Sequence, residues 1–283
     1  GHKEYHKAQK QREKELSEGT GPEHDRSVLE AYKRKAERTG NEYDKRCAAA
    51  VALMAEDDLN AAAKAWRKMI NEWPHLPEPY HNLAFVMQRS GRNMEAAQMY
   101  LKAMGLEEDG TVGWAKAVAS AFDLLMTRDC DEMPKPEWWN DEALKALSAR
   151  LAALVPGAMP GAHQPCVMRA RVLCGDALGK APWNAEPRTA AEVKEAAKWW
   201  RRAATVIGIP AGKQHFEQLA RACDAVADPL LAKEEAEAAA ARAAAEAEAE
   251  KARAAAEAEA AETLKVAEAK ATAAAEELLA EEE

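Results

Sequence analysis

The residues best suited to chemistry are few, and their spacing is poor for it. His163, Cys166 and Cys174 come nearest to a metal pattern, a histidine and two thiols separated by three and then eight positions. A structural zinc takes four nitrogen or sulfur ligands at short paired spacings, and no fourth ligand accompanies these three. Nucleophilic catalysis needs a serine or cysteine brought to a histidine in a cleft. The seven histidines lie mostly near the N-terminus or singly within helical stretches. Asp57-Asp58 is a carboxylate pair, but its place between two helical stretches suits helix capping better than acid–base work. A glycine-rich phosphate loop would have to follow a strand, and no strand is expected. The reading is of no catalytic residue, no metal and no cofactor, hence no enzyme.

The tryptophan pairs Trp138-Trp139 and Trp199-Trp200 invite a cofactor reading. Neighbours on a helix point about 100° apart, so only one member of each pair can face a given core. Trp200 suits a packing slot, while Trp199 packs on a nearby loop or anchors a partner. The five cysteines, Cys47, Cys130, Cys166, Cys174 and Cys223, are scattered and odd in number. They read as small buried hydrophobes of a reducing compartment.

The elements that position these side chains are expected to be helices throughout. Thirteen prolines and fourteen glycines leave long uninterrupted stretches, aromatic content is 6%, and alanine is abundant. The net charge of −9 is uneven: from Ala232 onward fifteen glutamates face six basic residues, which is the whole excess. A neutral body with an acidic tail argues against nucleic acid and against acidic membrane surfaces. No run of eighteen apolar residues offers a membrane span, although peripheral association stays open. The chain begins Gly1-His2-Lys3 without methionine, which suits a tag remnant or removal of a targeting peptide. The compartment is expected to be reducing and intracellular, cytoplasmic or organellar after such processing.

A spacing of 34 organises the middle of the chain. Ala62 and Trp66 stand four apart, Ala96 and Tyr100 repeat them 34 residues later, and Trp114 follows Tyr80 by 34. Tyr80-x2-Leu83-Ala84-x2-Met87 adds a loose signature, and Ala196-x3-Trp200-x2-Ala203 repeats the small–aromatic–small spacing. A small residue lets two helices approach, and the ring one turn later fills the gap between neighbouring hairpins. This pattern resembles the tetratricopeptide repeat (TPR), a helix–turn–helix unit that stacks into a superhelix. The resemblance covers residues 44–108 well, extends to about 127, and returns more loosely over 140–206.

The expected fold is all-α, a TPR-like α–α superhelix followed by a long single C-terminal helix. Residues 1–40 form a charged helical extension. Residues 41–228 form the repeat body, with insertions at about 128–139 and 179–188. Helices are expected over Asp25–Arg38, Gln164–Leu178 and Ala211–Val226, and turns at Pro156-Gly157 and Pro160-Gly161. Residues 229–283, free of glycine and proline after Pro229, form an acidic Ala/Glu helix roughly 80 Å long.

The resemblance implies a concave groove lined by the first helix of each unit. It would present Asp44, Cys47, Val51 and Met54, then Glu78, His81, Asn82, Phe85, Gln88 and Arg89, then Val112, Ala115, Lys116 and Ala119. The partner-binding set is Val51, Met54, Glu78, His81, Asn82, Phe85, Gln88, Arg89 and Lys116. One use of the family, a clamp for chaperone C-terminal carboxylates, is matched here at Asn82 and Lys116. Cys47 and Val51 stand where its first donors belong, which argues against that ligand. The function implied is a non-catalytic protein–protein interaction scaffold, an accessory or assembly subunit of a multi-subunit complex. The alternative is a transient peptide-binding adaptor or co-chaperone.

Overall fold

The computed structural model describes residues 22–154 and 163–280, and among them every regular element is helical. Residues 1–21 of the expected charged extension and the expected turns at 156–161 lie outside the described residues. The helices are α1 (Pro22–Thr39), α2 (Glu42–Ala55), α3 (Leu59–Glu72), α4 (Pro77–Arg89), α5 (Asn93–Leu106), α6 (Val112–Leu125), α7 (Asp141–Leu154), α8 (His163–Cys174), α9 (Ala190–Val206) and α10 (Pro210–Ala280). A single 3-10 turn, Arg128–Cys130, follows α6.

Local chemistry sets most of these boundaries. The Asn41 side chain accepts from the Asp44 N–H at 2.7 Å and starts α2. Asp58 accepts from the Ala61 N–H at 2.9 Å and starts α3. Pro77 occupies the first turn of α4, where its missing N–H costs nothing. Asn140 accepts from the Ala143 N–H at 3.0 Å ahead of α7. Thr189 and Glu192 form a reciprocal capping box at α9. Asp57 is not a cap: it carries the tight turn between α2 and α3 at φ +60°.

Each helix from α1 to α8 packs on the next, and α6 also packs on α8. Helix α6 is buried nearly all round, because it serves two cores at once. Its Ala121, Leu124 and Leu125 join a cluster built from α2 to α5. Its Trp114, Val118 and Phe122 join a second cluster with Leu144, Leu151, Met168, Val172 and Trp183. The wedge residues lie inside: Ala62, Trp66 and Ala96 are 0% exposed and Tyr100 2%. Ala196, Trp200 and Ala203 are equally buried, with Trp200 stacked on Phe216.

Both insertions fold back onto the helices. Trp138 and Trp139 pack against both clusters, at 5.8 Å from each other. The rule that adjacent tryptophans must diverge fails here because the segment is not helical. Trp199 instead lies on its own helix, donating to Glu195 at 3.2 Å under the Arg202 guanidinium.

Trp183 donates to Asp141 at 2.9 Å, and Arg188 grips the same carboxylate with both terminal nitrogens. Arg188 also donates to the carbonyls of Val172 at 3.0 Å and Glu186 at 2.9 Å. A buried ion pair is tolerable only when its remaining donors are satisfied in this way.

Two boundaries differ from expectation. Helix α8 stops at Cys174 rather than Leu178, because Gly175 turns the chain at φ +49° against the Arg188 side chain. Helix α10 does not end near Val226 but runs from Pro210 to Ala280 with Pro229 inside it. Pro229 lacks the N–H that would bond the Ala225 carbonyl, and the helix-forming residues on either side carry the helix through. The chain divides into two compact units, Gly1–Asp228 and Pro229–Glu283.

Candidate functional face on helix α4

Helix α4 separates its side chains cleanly. Tyr80, Leu83, Ala84, Val86 and Met87 are buried. Glu78, His81, Asn82, Phe85, Gln88 and Arg89 are half-buried and recur at three- and four-residue steps, so they share one outer stripe. Lys116 on α6 is half-buried too, and its charge is felt at His81.

Val51 and Met54 do not join this face. They are 2% and 7% exposed and belong to the core cluster, where the Met54 sulfur meets the Trp66 Nε1–H at 3.3 Å. A partner cannot reach side chains already enclosed, so these two are packing residues and not part of a docking surface. Asp44, Cys47, Ala115 and Ala119 are likewise buried.

The N-terminal end of the stripe is engaged by α1 and α2. The Tyr43 hydroxyl donates to Glu78 at 2.9 Å. The Asn82 amide donates to the Tyr32 hydroxyl at 3.4 Å and to the Glu78 carbonyl at 3.0 Å. Lys35 stands 3.0 Å from Asp44 and 3.8 Å from Glu78. Burial, reinforced by the negative Glu78, pushes both phenols far up, so each remains a donor. Burial, again with Glu78, pushes the Cys47 thiol up to about 12. The Asp44 carboxyl is held below its usual range by Thr39, then Lys35 and Asn41, against the effect of burial.

Farther along, His81 packs edge-on against Tyr100, with ring centroids 5.0 Å apart. Burial first and Lys116 second push its pKa down to about 4, so the imidazole is neutral near pH 7. Gln88 accepts from the Tyr100 hydroxyl at 3.4 Å. Arg89 reaches back across the hairpin, 2.7 Å from Asp57 and 3.4 Å from the Met54 carbonyl, with its guanidinium over the Phe85 ring.

This face offers hydrogen bonds, a ring and a cation, which can hold a peptide or a helix. Among the described residues no group of histidine, cysteine, aspartate and glutamate side chains could hold a metal ion. His163 and Cys166 sit on the first turn of α8 and Cys174 on its last.

Tyr32, Lys35 and Tyr43 were not among the partner-binding residues expected from the sequence. The available signal was the apolar side of α1, Val28, Leu29 and Tyr32, which packs against the first core. No protein-family model matches the chain, and no curated protein matches it either.

Proposed function

We propose that this chain is a non-catalytic interaction scaffold, an accessory or assembly subunit of a larger complex. Its body is a divergent TPR-like stack, and it engages partners through that body and its long C-terminal helix. The observation that carries the reading is the exposure of residues 231–267, where every side chain except Glu234 is exposed along an unbroken helix. A helix in water gains little from propensity alone, and most helical stability in proteins comes from packing one face. A solvated helix of this length is best understood as a surface for another molecule. No helix among the described residues is long and apolar enough to cross a membrane, so a protein surface is the natural counterpart.

The test is native gel migration of the full chain beside a chain ending at Asp228, each expressed in the source cell. The full chain should run in an assembly of fixed composition, and the shortened one should leave it while keeping the thermal transition of the body. Equal incorporation of both would remove the helix from the reading.

The adaptor alternative retains one supporting feature, the patch of His81, Phe85, Gln88 and Lys116 that α1 leaves partly open. It requires saturable peptide binding by residues 22–228 that Phe85→Ala abolishes.

A further inference from the structure

Two thiols far apart in sequence meet inside the body. Cys174 is the last residue of α8, and Cys223 lies in α10, 49 positions later. Their sulfurs are 3.3 Å apart in a hydrogen bond, and both are free thiols. We propose that Cys174 and Cys223 are a modification site, a dithiol that a hydroperoxide closes into a reversible intrachain disulfide tying the end of α8 to α10.

The gap to a disulfide bond length is only about 1.3 Å. The surroundings distinguish the two sulfurs. Cys174 is 4% exposed and Cys223 is 0%, so an oxidant meets Cys174 first. Cys174 is held below the usual thiol range chiefly by its hydrogen bond with Cys223, with help from the Arg171 and Arg188 guanidiniums, against the effect of burial. Cys223 is pushed up by the same bond and by burial, so it keeps its proton. A thiol that ionises the more readily, set against a resolving thiol that keeps its proton, is the arrangement redox-responsive pairs use.

The electrons balance with the peroxide as sole oxidant. The Cys174 thiol ionises and its sulfur attacks one peroxide oxygen; the O–O bond breaks, Cys174 becomes a sulfenic acid, and the departing hydroxide or alkoxide takes up the proton Cys174 released, leaving as water or an alcohol. The Cys223 sulfur then attacks the Cys174 sulfur. The S–O bond breaks, and the departing hydroxide takes the Cys223 proton as water. Two thiols have lost two hydrogens, and the peroxide has gained two electrons. The cross-link closes a loop running through α9, including the buried Trp200. This inference is independent of the scaffold reading.

The experiment treats the reduced full chain with a small excess of hydrogen peroxide and maps its peptides without reductant. The expected product is one cross-linked peptide per chain joining Cys174 to Cys223, lighter by two hydrogens and reversed by dithiothreitol. The oxidised chain should melt about 5–10 °C higher than the reduced one. Cys223→Ala should instead accumulate a sulfenic acid on Cys174 that dimedone traps. Should that variant fail to fold, the wild-type map decides alone. Two thiols that remain alkylatable after peroxide, sulfinic or sulfonic acids in place of the link, or a different pairing would each overturn the proposal.

Discussion

Replacing Trp66 with alanine tests the physical basis of the body directly. Trp66 is 0% exposed, and its indole N–H faces the Met54 sulfur at 3.3 Å. A buried tryptophan covers about 150–250 Å², worth roughly 4–6 kcal/mol at about 25 cal/mol per Å². Alanine keeps a small part of that, and the cavity it leaves adds a penalty, so a loss of about 3–5 kcal/mol is expected. For a body of this size each kcal/mol moves the melting temperature by about 2–4 °C, which places the drop near 12 °C. Trp66→Phe keeps a ring and loses the sulfur contact, and should cost about 1 kcal/mol. Far-UV circular dichroism would be swamped by the C-terminal helix. Calorimetry and near-UV dichroism are the proper readouts. Leu264→Ala, at a side chain 61% exposed, provides the neutral control. A Trp66→Ala transition within about 1 °C of that control would refute the claim that the ring wedges neighbouring hairpins together.

Three further predictions rest on single sites. The Arg188 and Trp183 hydrogen bonds hold the Asp141 carboxyl at about 2 despite its burial. Its stabilising contribution, about 2 kcal/mol, should be complete above pH 4 and lost as pH falls through 2, a dependence that an acid titration of Asp141→Asn should lack. His81 should show no imidazole titration by NMR until about pH 4, and Lys116→Gln should raise that midpoint by removing a neighbouring cation. Since its folded pKa is depressed, whatever His81 contributes is present above its ordinary range and lost on acidification toward 4. Gly175→Ala should lower stability by about 1–3 kcal/mol, because φ is +49° and the new Cβ would meet the Arg188 Nε at 2.8 Å; unchanged denaturant midpoints would contradict this.

The features legible in the sequence are those that short-range chemistry decides. Asn41, Asp58, Asn140 and Thr189 announce helix starts because a cap needs only the next three residues. The wedge pairs were legible because a small residue and a ring four apart share one helix face. What escaped is long-range. Arg188 and Asp141 are 47 residues apart, and nothing near either announces the other. Cys174 and Cys223 looked like isolated small hydrophobes until the fold brought them together. Val51 and Met54 failed as groove residues for a related reason. The resemblance assigned Cys47, Val51 and Met54 on α2 to a ligand surface, and the core took them. Ala211–Val226 and the tail from 229 were read as separate helices, yet the hydrogen bond missing at Pro229 is one local loss set against many good helix formers on either side.

The position of α1 changes where binding free energy would have to come from in a scaffold. Tyr32, Lys35 and Tyr43 already satisfy Glu78 and Asn82, so a ligand there would have to break those contacts before making its own. What α1 leaves is a patch of one ring, one neutral imidazole, an amide and a lysine, too small to match the roughly 800 Å² per partner of a standard interface. The C-terminal helix offers length but few large apolar side chains: Leu231, Leu264 and Val266 are the exposed ones among its described side chains. Alanine rows allow close approach but bury little area each. The remaining source of complementarity is charge, fifteen glutamates against six basic residues. A partner for this helix would therefore present a basic face, and their association would weaken steeply as salt shortens the screening length. Salt-insensitive assembly would rule out charge on this helix as the source of that association.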